Sequence, residues 1–478
     1  MPRSLIDVQS DYFDLLEIFF GKPFAEMTTY KLNPAQVARQ MASNAKIVQA
    51  FTSEQEGFAQ GIREFWSANA ETVNARVAEM KGLKSFFGGD IFPSYQRNIA
   101  TSVGLYVDTV VLPDPLLKLG DFIGHVEPVE VFRLIAKHAL NAMRYRDLAL
   151  ASIEPPIVII VPGHSLTDEQ YTNGLRMLAE RDALEHASRI FDRTFASTED
   201  FGRFLEQFHT ADEVAHSVVD PSRLLFDSEW SGTLTEQMER YKLETLDPLR
   251  GKMAPHHLQL AVWNSTFGRM MQANDTLLGS AEIRGTPLID APTSWQYLLW
   301  KYEYDGAQAS PARDRRGAVI VKAVEAEGRR SLSLISEVPQ QTLIDLRTNG
   351  ALAELRELIG KGIAEVNAAT AASVDEVSST VKNNLDEAFK KHQEQLRQLS
   401  RSRLKFYGRD VSSWIITGSL SIAAAAAGSV SLGILAALAA MAGPPSAKDL
   451  ARKWHELRSQ SQSLRRSPAG LLFKHTRG

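Results

Sequence analysis

The pattern of hydrophobic and polar positions predicts a helical beginning to the chain. Apolar residues recur at helical spacing through residues 11–20, 35–51 and 53–80, which indicates amphipathic helices. Asn33 and Pro34 are typical of an N-cap followed by the first helical position. We therefore expect residues 1–100 to form a helical N-terminal region.

A different pattern follows, in which two β-branched apolar runs flank a helix. Residues 103–112 and 156–161 predict buried strands, and each run ends at a proline-containing turn. Residues 129–152 between them have helical spacing, so the order is strand, helix, strand, as in a βαβ unit. Gly88-Gly89 indicates that residues 86–92 form a loop. Because we find few further strands, a full doubly wound sheet is not expected.

The middle of the chain returns to helical spacing and then becomes polar and irregular. Aromatic residues are concentrated in one part of it and predict a packed core cluster. The pattern predicts helices at 167–193 and 197–216 and places the aromatic cluster at 287–305. An exposed linker is predicted at 305–317, and the residues after it are compatible with a strand pair at 318–323 and 331–336.

A long amphipathic helix is predicted over residues 352–399. Apolar positions recur there with a mean step near 3.6, and no proline occurs between Pro339 and Pro444. At 1.5 Å per residue the helix would be about 70 Å long. The residues in the middle of the apolar stripe are small or polar, which favours close packing against another helix.

Residues 411–447 contain no charged side chain. They could form one transmembrane helix, a hairpin of short helices at 414–427 and 430–442, or a hairpin buried in protein. The apolar side chains together favour membrane insertion by only roughly 3–5 kcal/mol. Burial of the segment in lipid and burial in protein are therefore nearly equal in free energy. The residues expected to carry this behaviour are Trp414, Ile415, Ile416, Leu420, Ala425, Gly428, Leu432, Gly433, Leu435 and Leu438.

Basic residues flank this segment on both sides, which disfavours a single membrane pass. From Arg397 onward the chain has thirteen basic and three acidic residues, a net +10, whereas the whole chain has −4, which leaves −14 for the rest. Such a tail suits an anionic surface, either membrane or nucleic acid, or the acidic body of the same chain. The partner that we predict is an anionic membrane or a partner protein. The expected lipid-facing residues are Arg401, Arg403, Lys405, Arg409, Lys448, Arg452 and Lys453.

The end of the chain carries a short apolar patch after these basic residues. Leu471-Leu472-Phe473 lies within residues 467–475. A free polar tail does not need three such residues in a row. The patch therefore predicts a docking peptide that folds back onto the body.

Residues that could support catalysis are few. Asp108 and Asp114 flank the end of the predicted strand 103–112, and His164 precedes Ser165 in the turn after the second strand. Carboxylates at strand ends can hold a divalent metal, but an Asp beside a proline is usually a turn or cap residue. No Gly-x-Ser-x-Gly, His-Glu-x-x-His, Walker loop or cysteine occurs, so we predict no metal, no cofactor and no specific nucleic-acid partner.

Together these patterns predict a mainly α protein with a small α/β element, followed by a long amphipathic helix and a C-terminal apolar helical hairpin. The expected divisions are 1–100 helical, 101–304 an α/β-containing helical body, 305–350 a linker with a small β/helical segment, 351–404 the long helix, 411–447 the hairpin and 448–478 the basic tail. Residues 1–8 lack the apolar core of a signal peptide, so we expect cytoplasmic localisation with conditional membrane association.

The favoured function is that of a non-enzymatic sensor or effector that presents the hairpin to a membrane. The arrangement of long helix, apolar hairpin and basic helix resembles the general plan of α-helical pore-forming proteins, and implies a toxin-like or phage-defence setting. The first alternative is a soluble homo-oligomeric scaffold, joined through the long helix and a buried hairpin. The second is a hydrolase or nuclease that uses the region of Asp108, Asp114 and His164.

Overall fold

The computed structural model describes residues 3–105, 107–163, 169–246, 257–308 and 339–350, together with Ala353 and Arg356. This part of the chain is mostly helical and surrounds a small parallel sheet. Its helices are α1 (Leu5–Thr29), α2 (Pro34–Ala42), α3 (Ala45–Glu79), α4 (Ile99–Val103), α5 (Pro115–Gly120), α6 (Pro128–Met143), α7 (Arg146–Ala149), α8 (Glu169–Phe191), α9 (Thr198–Leu205), α10 (Ala211–Ser217), α11 (Leu234–Tyr241), α12 (His257–Trp263), α13 (Arg269–Glu282), α14 (Pro292–Gln308) and α15 (Gln340–Thr348), with a 3₁₀ turn at Pro221–Arg223 and π-helical turns at Lys242–Leu246 and Asn264–Gly268.

The sheet has four parallel strands in the spatial order β3-β2-β1-β4. They are β1 (Lys84–Phe87), β2 (Thr109–Pro113), β3 (Val158–Val161) and β4 (Thr286–Leu288). The chain proceeds from β1 through β2 to β3 on one side, and then crosses to add β4 on the other side of β1. The strand order therefore reverses between β1 and β4. Both faces of such a sheet need a helical cover, and the helices supply it.

The predicted βαβ unit is confirmed, although one strand begins later than expected. Residues 99–103 form α4, because the Asn98 side chain accepts hydrogen bonds from the backbone of Ala100 and Thr101 and caps that helix. β2 starts only at Thr109. β3 lies within the predicted range 156–161. α6 begins with Pro128, and proline is favoured at the first position of a helix.

The strands β1 and β4 were not predicted from the sequence, so the observed sheet is larger than expected. β1 begins with Lys84 and Ser85, which are polar and gave no strand signal, although both side chains are buried. The Lys84 ammonium donates to the carbonyls of Val77 and Ala78 at the end of α3, at 2.8 and 3.1 Å. A cation at a helix C-terminus is favourable there, so a buried lysine is tolerated. The predicted loop at 86–92 is wrong for its first two residues.

Several helix boundaries differ from the predicted ones, while the N-cap at Asn33 is confirmed. The Asn33 side chain accepts from the Gln36 backbone, and Pro34 follows at the first helical position. The break before α3 lies at Asn44, whose side chain caps that helix, and not near residue 52. Residues 197–216 form two helices, each started by its own hydroxyl cap, Ser197 and Thr210.

One large hydrophobic core surrounds the sheet, and a second lies among the later helices. The first joins α1, α2, α3 and α6 to all four strands. The second is rich in phenylalanine and includes Phe191, Phe195 and Phe201. The predicted aromatic cluster is confirmed in α14, where Tyr297, Trp300 and Tyr304 are buried.

The outer edge of β3 is closed by a side chain of α1. Gln9 donates from Nε2 to the carbonyl of Ile160 at 2.9 Å and accepts from the Ile160 backbone N–H at 2.8 Å. Gln9 is 1% exposed. Its amide therefore takes the place that a further strand would occupy, which protects an edge strand from pairing with another chain.

Within the described ranges, no helix is long and apolar enough to cross a membrane. The predicted linker beyond Gln308, the strand pair at 318–323 and 331–336, the hairpin at 411–447 and the basic tail lie outside the described residues, as does the long helix 352–399 except for Ala353 and Arg356.

We predict that Gln9→Ala lowers the free energy of unfolding by about 2–4 kcal/mol, because both backbone groups of Ile160 lose their partner while buried. Urea unfolding followed by circular dichroism measures the change. Gln40→Ala is the matched control, since Gln40 is exposed on α2 and its loss should have little effect. Equal stability of the two variants would contradict the role of Gln9.

Candidate functional site

The structure separates the two aspartates that the sequence placed together. Asp108 directly precedes β2 and Asp114 directly follows it, so they lie at the amino and carboxyl edges of the sheet. Six residues of extended chain correspond to about 20 Å. The two carboxylates therefore do not share one edge of the sheet, and His164 lies outside the described residues.

Asp114 joins the sheet to two long helices. It is 1% exposed, and its carboxylate accepts from the Tyr12 hydroxyl of α1 at 2.8 Å and from the Trp66 indole of α3 at 2.6 Å. It also accepts from the backbone of Leu116 at 2.9 Å and so caps α5. Burial raises the pKa of Asp114 to about 6, an effect that the three donors oppose. The cap expected for an Asp beside proline is confirmed, with two side-chain partners that the sequence did not reveal.

Asp108 lies at the opposite edge, where the C-terminal part of the described chain returns to the body. Its Oδ2 accepts from the Leu83 backbone at 2.8 Å, beside Gly82. A Cβ on Gly82 would lie 2.7 Å from Oδ2, and Gly82 has a φ of +97°. Glycine is therefore required for the backbone to approach this carboxylate so closely.

Two arginines from beyond residue 339 converge on Asp108. Arg356 donates from Nε to Oδ1 of Asp108 at 2.7 Å. Arg347 in α15 donates to the backbone carbonyls of Val107 at 3.2 Å, Asp108 at 2.8 Å and Pro155 at 3.2 Å, and its Nη2 lies 3.9 Å from Oδ1 of Asp108. We call Asp108, Arg347 and Arg356 the arginine clamp.

The arginine clamp carries one more positive than negative charge. The side chains of Arg347 and Arg356 are 3% and 7% exposed, and that of Asp108 is 17% exposed. Burial lowers the pKa of both guanidinium groups, that of Arg347 to about 10 with a further contribution from nearby Arg356, while Asp108 opposes the shift. Asp108 thus holds two buried cations that would otherwise repel each other.

Hydrophobic packing supports the same attachment. Leu343 and Leu346 of α15 are fully buried, and both belong to the core around the sheet. A Cβ on Gly104 would lie 2.7 Å from Leu343, so α15 packs tightly against the turn after α4. Gln340 donates to the carbonyl of Arg144 at 2.8 Å. α15 is therefore an integral part of the body, and Arg356 beyond it contacts the same edge of the sheet.

The carboxyl edge of the sheet is covered by the loop between β1 and α4. Open α/β sheets often bind ligands where the strand order reverses, here between β1 and β4. Asp290 after β4 accepts from the backbone of Ser94 in this loop at 2.7 Å. On α6, Asn141 donates to the carbonyl of Pro93 at 2.7 Å and Arg144 to that of Tyr95 at 2.5 Å. These bonds hold the loop over the position where a ligand would bind in such a sheet.

Charged groups also meet at this covered edge. Burial raises the pKa of Asp290 to about 6, and the like charge of Asp90 raises it further. Burial lowers the pKa of Lys137, which Asp90 opposes, and the Lys137 ammonium lies 5.5 Å from the centre of the Tyr95 ring. The sequence gave no motif for this cluster, because its members come from distant segments that meet only in the fold.

A buried ionic network lies among the later helices, and its charges balance. The Lys301 ammonium contacts Asp182 at 2.8 Å and Asp305 at 2.5 Å. Arg181 contacts the same two carboxylates at 2.7 and 2.8 Å, and Asn274 donates to Asp182 at 2.9 Å. With two cations and two anions fully paired, this network joins α8, α13 and α14 and leaves no free group for chemistry.

His186 is a structural histidine beside this network. It is 0% exposed, its Nδ1 lies 2.5 Å from the Tyr304 hydroxyl, and burial lowers its pKa to about 3. It is therefore neutral at physiological pH.

Neither metal geometry nor similarity to known proteins indicates a reaction. Within the described ranges, no three His, Asp or Glu side chains are grouped as metal ligands would be. No protein-family model, curated protein or solved structure matches this chain. The arginine clamp attaches the last described residues of the chain to the sheet, and we take it as the candidate functional site.

We predict that Asp114→Ala lowers the free energy of unfolding by about 2–5 kcal/mol, because the Trp66 indole and the Leu116 amide lose their acceptor while buried. Urea unfolding at pH 7 measures the loss. Asp121→Ala is the control, because Asp121 is an exposed carboxylate at the other end of α5. A loss no larger than that of the control would contradict the role of Asp114.

The raised pKa of Asp114 predicts a specific pH dependence. Because the folded pKa of about 6 exceeds the ordinary value of 3.8, folding takes up a proton between these values, and the contribution of Asp114 falls as the pH rises through that window. The free energy of unfolding of the wild type relative to Asp114→Asn should fall by about 2 kcal/mol from pH 4.5 to 7.5. Urea unfolding across this range tests it, and parallel pH profiles would contradict it.

Proposed function

We propose that the protein is a non-enzymatic cytoplasmic sensor or effector whose α/β body holds a C-terminal membrane-acting region. The observation that carries this proposal is the arginine clamp. It attaches the start of the predicted long helix to the sheet through Asp108. The membrane-acting part is the uncharged segment 411–447, which lies beyond the described residues.

The charges of the clamp support a conditional attachment. Two buried guanidinium groups converge on the Asp108 carboxylate, so this anion contributes to holding both of them. Removing an anionic partner of a buried cation typically costs about 3–5 kcal/mol. A change at Asp108, or at the edge of the sheet beside it, would therefore favour release of Arg356 and the helix that follows.

Both candidate carboxylates accept hydrogen bonds from groups of the protein itself, which supports a non-enzymatic role. Asp108 and Asp114 accept hydrogen bonds from the protein itself and lie at opposite edges of the sheet. The carboxyl edge is covered by its own loop through Asp290 and Ser94. The basic residues around segment 411–447 would add attraction to anionic lipid, at about 1 kcal/mol for each residue near the surface.

We predict that weakening the clamp increases membrane binding. Arg356→Ala leaves one arginine for Asp108, so the body keeps a balanced ion pair while the C-terminal region is less restrained. Purified full-length protein is mixed with vesicles of phosphatidylcholine and phosphatidylserine, and flotation and dye release are measured. We expect binding about tenfold stronger than for the wild type, equivalent to ~1.4 kcal/mol.

Two further variants make the experiment decisive. Ala425→Asp places a charge in the uncharged segment, at a cost of about 2.5–3.5 kcal/mol on insertion, and should abolish binding also when combined with Arg356→Ala. Arg203→Ala, which removes an exposed arginine on α9, is the control for loss of charge. Absence of vesicle binding in every protein, with unfolding caused by Ala425→Asp, would contradict the proposal and favour a buried hairpin in a soluble scaffold.

A further inference from the structure

A shallow apolar groove lies between the start of α3 and the start of α6. Its volume is about 690 Å³, and its lining includes Ala42, Ala45, Val48, Ser53, Pro128 and Val129. Val129 is 38% exposed, as is Ile47 next to Val48. Exposed apolar surface in a concave position is typical of a binding site for an apolar side chain or peptide.

We propose that this groove binds the C-terminal peptide of the same chain through Leu471, Leu472 and Phe473. These residues form the short apolar patch near the end of the sequence, and the groove has the volume that a few apolar side chains require. The uncharged segment 411–447 is a poorer occupant, because so small a groove would cover only a fraction of it.

Charge complementarity selects the same occupant. Arg465, Arg466 and Lys474 flank the apolar patch. Along the chain, the exposed acidic residues Glu54 and Glu56 follow the lining residue Ser53 on α3, and the exposed Glu127 immediately precedes the lining residue Pro128; the basic Lys46 follows Ala45. The chain before Arg397 has a net charge of −14, against +10 for the tail. Segment 411–447 has no charge and would gain nothing from these acids.

The intervening chain is long enough for the tail to reach the groove. More than a hundred residues separate Arg356, which is fixed at the amino edge of the sheet, from Leu471. Even as a continuous helix, these residues would span about 170 Å. Binding within one chain is also favoured by a high effective concentration. Docking would return the end of the chain to the body and add a second attachment to that of the arginine clamp.

The absence of cysteine in the sequence permits a direct test by disulfide formation. Ser53→Cys and Gly470→Cys are introduced together into the full-length protein, because Ser53 lines the groove and Gly470 precedes the apolar patch. The matched control pairs Gly470→Cys with Gln207→Cys, an exposed position after α9. The rate of intrachain disulfide formation with oxidised glutathione is measured by mass spectrometry at low protein concentration, without lipid.

We expect the groove pair to form its disulfide about tenfold faster than the control pair, as a raised effective concentration implies. Val129→Asp, at a partly exposed lining position, and Leu472→Asp should each reduce the rate to that of the control. Equal rates for the two pairs, or no effect of either substitution, would overturn the proposal. A disulfide formed only between chains would also overturn it, because the occupant would then be the tail of a second copy.

This inference goes beyond the proposed membrane function and can fail independently of it. The disulfide experiment contains no vesicles, so its result depends only on whether the tail occupies the groove. Vesicle binding by Arg356→Ala, in contrast, does not require a docked tail. Failure of one experiment therefore leaves the other hypothesis standing.

Discussion

The hydrogen bonds to the Asp114 carboxylate are the interaction on which the arrangement of the body depends. The parallel sheet is short and must be covered on both faces, yet its covering helices come from distant parts of the sequence. At Asp114 the end of β2, the start of α5 and the two long N-terminal helices meet through Tyr12 and Trp66. Gln9, one turn before Tyr12, fixes the same helix to β3. These contacts determine where α1 and α3 lie on the sheet.

The two edges of the sheet consequently differ in their use. At the carboxyl edge, the loop after β1 is fixed by Asp290, Asn141 and Arg144, and occupies the position where many α/β proteins bind ligands. At the amino edge, Asp108 receives two arginines from the C-terminal end of the described chain. The attachment of α15 and Arg356 therefore lies at the edge opposite to the covered one.

The sequence predicted the fold class and the βαβ unit, because long amphipathic helices and a β-branched run such as β3 have strong local patterns. It missed β1 and β4, since these strands are only four and three residues long and β1 begins with a lysine. The predicted start of β2 was too early, because residues 99–103 form a helix that the Asn98 side chain caps. The β-branched residues there gave no sign of this helix.

The candidate site was harder to predict from the sequence than the fold. Asp108 and Asp114 were identified as notable, but the strand between them places them at opposite edges, and this depends on where β2 begins. The partners of Asp108 are about 240 residues away in the sequence, so no local motif could reveal them. The same holds for Gln9 and Ile160, which are 151 residues apart.

We propose that the arginine clamp holds the chain that follows α15 on the body and releases it at a membrane. Hydrogen–deuterium exchange of α15 and Arg356, measured by mass spectrometry with and without anionic vesicles, tests it most directly. The account predicts slow exchange in solution, because α15 is buried through Leu343 and Leu346, and faster exchange when vesicles are added. Unchanged exchange in this segment while the protein is bound to vesicles would contradict it.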